Sequence, residues 1–142
     1  MPMTVERIDH VVVNCRDVET SAAWYERVLG MRREAFGPDR RIALRFGRQK
    51  LNLRPMGAAN WPTGAVDAPG SLDVCFVTEA APTAVKAHLE LCGVPIAEGP
   101  VTKTGALGPI TSIYCRDPDG NLIEIASYGN GDGPDQAMRF SV

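Results

Sequence analysis

The stretch DPDGNLIEIASY, residues 117–128, joins a turn signal to a strand that carries a carboxyl group at its centre. Proline at the second position and glycine at the fourth position of DPDG are typical of a β-turn. Glu124 then lies between Ile123 and Ile125. Because an unpaired buried charge costs several kcal/mol, Glu124 needs a charged partner, a ligand or water. The stretch predicts a hairpin whose second strand presents Glu124.

The hairpin ends a pattern that the chain repeats. A strand, a helix that stops at a glycine and three further strands are predicted from RIDHVVVNC, RDVETSAAWYERVLGM, RREAF, RIALRF and QKLNLRP. The same order returns in SLDVCFVTE, APTAVKAHLELCG, VPIAEGP, PITSIYCR and NLIEIASY. An ungapped shift of 63 residues places Gly93 on Gly30 and Asp73 on His10. This self-similarity predicts an internal duplication.

The predicted fold class is α+β, with tandem βαβββ modules at residues 5–54 and 71–128 that form one domain overall. Residues 55–70 are rich in proline, glycine and alanine, which predicts a linker. Residues 129–142 lack periodicity and are predicted to be a flexible C-terminal tail. The glycine-flanked segment GPVTKTGALGP, residues 99–109, is interpreted as a loop.

Composition argues against several classes of function. The net charge is −2 and no basic run is present, which disfavours nucleic-acid binding. No apolar run approaches the roughly 20 residues that span a membrane, and the start Met-Pro-Met-Thr lacks the features of a signal peptide. The four cysteines form no CxxC pair and are interpreted as small buried side chains rather than a structural zinc site. We therefore expect a soluble cytoplasmic protein without nucleic-acid or membrane partners.

Four polar residues occupy related places in the two halves. His10 and Asp73 lie in the first strand of their halves, and Asn52 and Glu124 lie in the last strand of theirs. Since side chains alternate along a strand, and if the halves pack as pseudo-twofold mates, all four project toward one cavity. Imidazole, carboxylate and amide oxygen are ligands of divalent metals. The joint placement predicts a metal site, although only two histidines are available to it.

Each of the four residues also has a simpler interpretation. Glu124 pairs with an arginine such as Arg45 or Arg116 if no metal is present. A single histidine is more often a hydrogen-bonded core residue than a ligand. Asp73 starts a strand or caps a turn, and Asn52 hydrogen-bonds a substrate or the neighbouring strand.

Four further residues are candidate substrate contacts. Lys103 and Thr104 reach an anionic group of the substrate, or belong to an ordinary surface loop. Trp61 covers a pocket, or only fixes the linker in which it lies. Tyr114 lies on a strand and faces either the site or the opposite side.

The two βαβββ halves, together with IDHVVVN, WYERVLGM and DPDGNLIEI, resemble the vicinal oxygen chelate superfamily. That group includes glyoxalase I, fosfomycin-resistance transferases, extradiol dioxygenases, methylmalonyl-CoA epimerase and bleomycin-binding proteins. FGRQKLNLRP, PGSLDVCFVTE and GPITSIYCRDPDGNLIEIASY are similar to a subgroup of glyoxalase-domain proteins, some labelled virulence-associated. The resemblance covers about residues 5–128. It implies the glyoxalase/bleomycin resistance fold, a curved, half-open, barrel-like sheet, and a homodimer.

The resemblance also implies metal ligands on the first and last strands of each half, which are His10, Asn52, Asp73 and Glu124 here. His10 and Glu124 match the residue types of the family. Asp73 stands where histidine is frequent, and Asn52 stands where glyoxalase I has Glu or Gln. The missing Glu argues against glyoxalase I activity itself, and the missing second histidine argues against a dioxygenase.

The implied function is that of a metal-dependent enzyme, a lyase, isomerase or transferase, acting on a small oxygen-rich substrate. A divalent ion (Mg, Mn, Ni, Zn or Fe) would act as a Lewis acid on two adjacent oxygens of the substrate, and Glu124 is the candidate base. The alternative is a small-molecule binding protein without catalysis, of the bleomycin-resistance type. A ring-cleaving dioxygenase is a further alternative.

Overall fold

A strand, a helix and three strands follow one another twice in the computed structural model, which describes residues 2–129. Except for Gly129, the predicted tail lies outside the described residues. The chain divides into two units between Gly70 and Ser71. The first unit contains β1 (His10–Cys15), α1 (Val18–Leu29), β2 (Arg32–Phe36), β3 (Arg41–Phe46) and β4 (Gln49–Pro55). The second contains β5 (Asp73–Val77), α2 (Pro82–Leu91), β6 (Glu98–Gly105), β7 (Gly108–Arg116) and β8 (Leu122–Ser127).

Each unit forms one four-stranded mixed sheet, and the two sheets have equivalent strand orders. The orders are β1-β4-β3-β2 and β5-β8-β7-β6. The first and last strands of each unit pair in parallel, whereas the other pairs are antiparallel. Each sheet is open and carries one helix. The predicted α+β fold of tandem βαβββ modules is thus confirmed. None of the helices in residues 2–129 is long and apolar enough to cross a bilayer.

Helix α1 is defined at both ends and buries one side against the first sheet. The side chain of Asp17 accepts a hydrogen bond from the backbone N–H of Thr20 at 3.1 Å, which caps the N-terminus. Gly30, with φ of 66°, ends the helix in the left-handed region, as the sequence predicts. Tyr25 is fully buried and shares the covered side of the unit with aliphatic residues of the strands, among them Val13, Leu44, Leu51 and Leu53. The other face of this sheet carries polar side chains.

Helix α2 covers one face of the second sheet in the same way. Pro82 stands in its first turn, where a missing N–H costs nothing. Val85 and Leu89 are its buried residues, and they share the core of this unit with Ile113 and Ile123. Because side chains alternate along the strands, residues such as Glu124 lie on the face that α2 leaves uncovered.

The turn before β8 is held by a network around one buried carboxyl group. Asp117 Oδ1 accepts hydrogen bonds from the backbone N–H groups of Asp119 and Asn121, both at 2.9 Å. Asp117 Oδ2 accepts a third from Asn121 Nδ2 at 2.7 Å. Asn121 Oδ1 in turn accepts from the backbone N–H of Leu72 at 2.9 Å, just before β5. The network joins β7 and β8 as the predicted hairpin and places Glu124 inside a strand.

The loop interpretation of residues 99–109 is wrong. Strand β6 runs from Glu98 to Gly105, so Lys103 and Thr104 lie in a strand and not in a loop. Neighbouring β7 supplies the hydrogen-bond ladder for this segment, and only two residues connect Gly105 to Gly108. The Gly-Pro pair at 99–100 coincides with a register shift rather than with the end of the strand.

Arg54 fastens the loop that follows β4 to the first unit. This buried side chain donates from Nε to the carbonyl of Trp61 at 3.0 Å and from Nη2 to that of Ala58 at 3.2 Å. Its Nη1 donates to Asn14 Oδ1 at 2.8 Å and to Asp67 Oδ2 at 3.4 Å. Buried guanidinium groups need such partners, so Arg54 and the loop stabilise one another.

We expect the Asp17→Ala substitution to lower the free energy of unfolding by about 1 kcal/mol, because it removes the cap of α1. Urea denaturation followed by circular dichroism measures the change. Asp39→Ala, on the exposed turn between β2 and β3, is the matched control and should leave stability unchanged. Equal losses in both variants would contradict the capping role.

The hydrogen bonds of Asp67, which hold the loop after β4, should stabilise the protein less in acid. The N–H of Gly57 and then the Arg54 guanidinium hold the pKa of this carboxyl below its ordinary 3.8. A lowered pKa contributes stability that is present above the ordinary value and is lost as the pH falls through the pKa of the folded protein. Asp67→Asn should therefore destabilise the protein at pH 7 and have no effect at the acid end, measured by urea denaturation across that range. A loss that is independent of pH would contradict this.

Candidate functional site

The uncovered face of the second sheet carries a row of polar side chains. Cys75 on β5, Glu124 on β8, Tyr114 on β7 and Glu98 on β6 lie directly opposite one another across the four strands. Asp73 lies two residues from Cys75 and shares its face. Most of this row lines a cleft of about 380 Å³, together with residues that include Lys103, Arg116 and Leu122.

Glu124 is held in this cleft by a serine and not by a basic residue. Ser112 Oγ donates a hydrogen bond to Glu124 Oε2 at 2.6 Å. The two basic residues of the cleft have other partners, since Arg116 donates to the carbonyl of Gly120 at 3.3 Å and Lys103 Nζ lies 3.8 Å from Glu98 Oε2. Within the described part of the second unit, Glu124 forms no ion pair. The alternative in which Arg116 neutralises Glu124 is therefore not observed, and Arg45 is paired with a residue of its own unit.

The neighbours of Glu124 hold their protons firmly. Burial, followed by the charge of Glu124, raises the pKa of Tyr114 to about 12. The same causes, in the same order, raise the pKa of the Cys75 thiol to about 11. Both groups are therefore protonated at neutral pH and are available as hydrogen-bond donors next to the carboxyl group.

The uncovered face of the first sheet carries the other two predicted ligands. His10 on β1 lies opposite Lys50 on β4, and Asn52 lies two residues further along β4 on the same face. His10 Nδ1 lies 2.8 Å from Asp9 Oδ2, and both side chains are exposed. Asn52 is only 6% exposed, and within residues 2–129 its Oδ1 atom has no hydrogen-bond partner.

Each unit thus contributes two of the four predicted metal ligands on one uncovered sheet face: His10 and Asn52 in the first unit, and Asp73 and Glu124 in the second. Within residues 2–129, no three His, Cys, Asp or Glu side chains lie close enough together to form a metal-sized cluster. One imidazole, two carboxyl groups and one amide oxygen form a donor set that divalent cations accept. The Glu124 carboxyl group has no basic partner in the described part of its own unit, so it is also a suitable oxygen donor for a divalent cation.

The predicted substrate contacts divide between two places. Tyr114 and Lys103 both line the cleft of the second unit, where Lys103 Nζ lies 5.8 Å from the centroid of the Tyr114 ring. Thr104 follows Lys103 in β6 and therefore lies on the opposite side of that strand, exposed to solvent. Trp61 belongs to the first unit.

Trp61 borders a second cavity, of about 320 Å³, in the first unit. The Arg41 guanidinium group stacks on the Trp61 ring, with its Cζ atom 4.0 Å from the ring centroid. Arg41 also donates a hydrogen bond to the carbonyl of Asn60 at 3.2 Å. Apolar residues, including Val18, Ile42, Leu53 and Pro55, form part of the lining. Trp61 therefore both borders a pocket and lies in a loop that is fixed in place.

Sequence reasoning missed Ser112 and Cys75. Cys75 is exposed rather than a buried hydrophobic side chain. Alternation along the strands contains the signal, since Ser112 shares the parity of Tyr114 and Cys75 shares that of Asp73. On β5 and β7, the two strands that pair with β8, alternation places Cys75 and Ser112 on the same face as Glu124.

Two curated relatives are similar over most of this chain. The glyoxalase domain-containing protein RDO1 of Mycosarcoma maydis is 46% identical over 126 residues, which are 89% of this chain and 70% of that protein. Virulence protein STM3117 of Salmonella typhimurium is 45% identical over 126 residues, which are 89% of this chain and 87% of that protein. The crystal structure of STM3117 superposes with a TM-score of 0.86, covering 89% of this chain and all of that one.

More distant structures share the fold. Lactoylglutathione lyase from Agrobacterium tumefaciens has a TM-score of 0.68 at 23% identity, covering 89% of this chain and 96% of that one. TnmS3, an antibiotic-binding protein from Streptomyces, has a TM-score of 0.67 at 24% identity, covering 89% and 98%. The sequence profile of one family matches residues 7–125. With the repeated βαβββ fold and these relatives, this match establishes that the chain belongs to the Glyoxalase/Bleomycin resistance protein/Dioxygenase superfamily.

Proposed function

We propose that the protein is a divalent-metal-dependent enzyme of the glyoxalase type, a lyase, isomerase or transferase acting on a small oxygen-rich molecule. One observation carries the proposal: the Glu124 carboxyl group lies in a polar cleft of the second unit and has no basic partner there. Glu124 is partly buried, and a bound cation would neutralise its charge. Members of the superfamily commonly use divalent metals, which supports the same conclusion.

His10 and Glu124 are the proposed principal ligands, with Asp73 as a further oxygen donor. When bound, the ion supplies a Lewis acid for two adjacent oxygens of the substrate. Ser112 orients Glu124 through its hydrogen bond of 2.6 Å. Tyr114, whose pKa is raised to about 12, donates a hydrogen bond to the substrate and does not compete with it for the cation. Lys103 lies in the same cleft and contributes charge to substrate binding.

The proposal includes a homodimer in the cytoplasm. Support comes from the superfamily, whose members bind small molecules and often form dimers. The names of the two curated relatives refer to a glyoxalase domain and to virulence, and neither name specifies a substrate.

The first experiment measures metal binding. Untagged protein is stripped with EDTA, loaded separately with Mn²⁺, Ni²⁺ or Zn²⁺, and analysed by calorimetry and elemental analysis. We expect about one ion per chain. Affinity should fall on the order of 100-fold in His10→Ala and Glu124→Gln, and roughly tenfold in Ser112→Ala, which removes only the group that orients Glu124.

Matched controls carry the same substitutions elsewhere. His88→Ala on α2 and Glu79→Gln on the exposed connection before α2 should retain full affinity. The loaded protein is then screened with glyoxalase, thiol-transfer and epimerase substrates. Failure of the wild-type chain to take up any of the three ions, or full metal content in Glu124→Gln, would refute the proposal.

The second candidate is a small-molecule binding protein without catalysis. The cavity of about 320 Å³ beside Trp61 favours it, because it combines an aromatic wall with apolar lining, as ligand pockets do. Asn52 and Asp73 also depart from the metal-binding residues of the family. Ligand binding that is unaffected by EDTA and reduced by Trp61→Ala would favour this candidate.

A further inference from the structure

The uncovered face of the first sheet carries a row of basic side chains. Arg32, Arg45, Lys50 and His10 lie directly opposite one another across β2, β3, β4 and β1. Like charges in directly opposed positions destabilise a sheet. Arg45 is neutralised by Glu34, whose Oε1 accepts from its Nε at 2.8 Å. Apart from Arg45, the basic side chains of the row have no acidic partner on the described strands of this sheet that neutralises them, so the face concentrates positive charge.

Lys50 is the member of the row that is poised to bind an anion. Its side chain extends from β4 across β3 to β2, where Nζ lies 3.7 Å from the centroid of the Phe36 ring. This direction leads away from His10 on β1. Within residues 2–129 the ammonium group forms no ion pair with a carboxyl group. An ammonium group has three donors, and an aromatic face does not satisfy them.

Asn52 adds an unused acceptor beside this cation. It lies two residues from Lys50 on the same face, about 7 Å along the strand. Its Oδ1 atom is buried without a hydrogen bond within residues 2–129, and such an atom is costly to leave unpaired. The residues beside it across the strands, Val12 and Ala43, offer no donor side chain. Its neighbours on this face, Val12, Glu34 and Lys50, are only partly buried.

We propose that this face binds a small hydroxycarboxylate, with the carboxylate on Lys50 and the hydroxyl group donating to Asn52 Oδ1. Lys50 supplies the positive charge that a carboxylate group requires. The inference deepens the proposed function by naming the substrate class. It assigns Asn52 to the substrate, and leaves the cation to His10 and to the carboxyl groups of the second unit.

The test compares glycolate with acetate, which differ by one hydroxyl group. Protein in EDTA at constant ionic strength is titrated with each, and the dissociation constants are read from amide shifts of β4. We expect wild-type protein to bind glycolate about tenfold more tightly than acetate. Lys50→Gln should weaken the binding of both anions at least tenfold, because it removes the positive charge that pairs with the carboxylate of each. Asn52→Ala should abolish only the preference for glycolate.

Lys86→Gln, on the surface of α2, is the matched control and should bind both anions as the wild type does. Equal affinities for glycolate and acetate in the wild type, no binding of glycolate, or unchanged binding in Lys50→Gln would each overturn the inference. Because EDTA removes metal, glycolate binding persists if the metal proposal alone fails. Metal uptake without glycolate selectivity leaves the metal proposal standing and overturns this one.

Discussion

A single helix covers only one face of a four-stranded sheet, and the rest of this structure follows from that constraint. In each unit the helix buries the aliphatic members of the alternating strands, such as Leu51 and Ile123. The intervening residues face away from the helix. They include His10 and Asn52 in one unit and Asp73 and Glu124 in the other. Polar groups inside otherwise aliphatic strands are therefore compatible with both cores, and the uncovered faces carry the candidate site residues.

The two uncovered faces differ in charge. Eleven of the 15 lysines and arginines lie in residues 1–70, including the opposed row on the first sheet. The second sheet instead presents Asp73, Glu98 and Glu124 on its uncovered face. The two units thus combine equivalent strand orders with different charges on their uncovered faces, although Lys103 and Arg116 also line the cleft of the second unit.

The features that a few adjacent residues specify could be predicted from the sequence, whereas those that depend on other strands could not. Gly30 and the DPDG turn were read correctly because glycine in the left-handed region and a proline turn are encoded by a few adjacent residues. Lys103 and Thr104 were misassigned because the glycines near both ends of this edge strand make it resemble a loop, and only the pairing with β7 distinguishes the two. The isolated Oδ1 atom of Asn52 and the contact between Ser112 and Glu124 depend on partners on other strands, and no local pattern specifies them.

Arg54 secures its loop through the main chain, at the carbonyls of Ala58 and Trp61. Every residue type has such a carbonyl, so these two hydrogen bonds do not depend on the side chains at positions 58 and 61, whereas the contact with Asp67 requires its carboxyl group. The wall of the adjacent cavity is therefore free to diversify while its position is retained. Substitutions at positions 58 and 61 are expected to reshape the cavity wall without rebuilding the sheet, which makes this loop a suitable place for engineering.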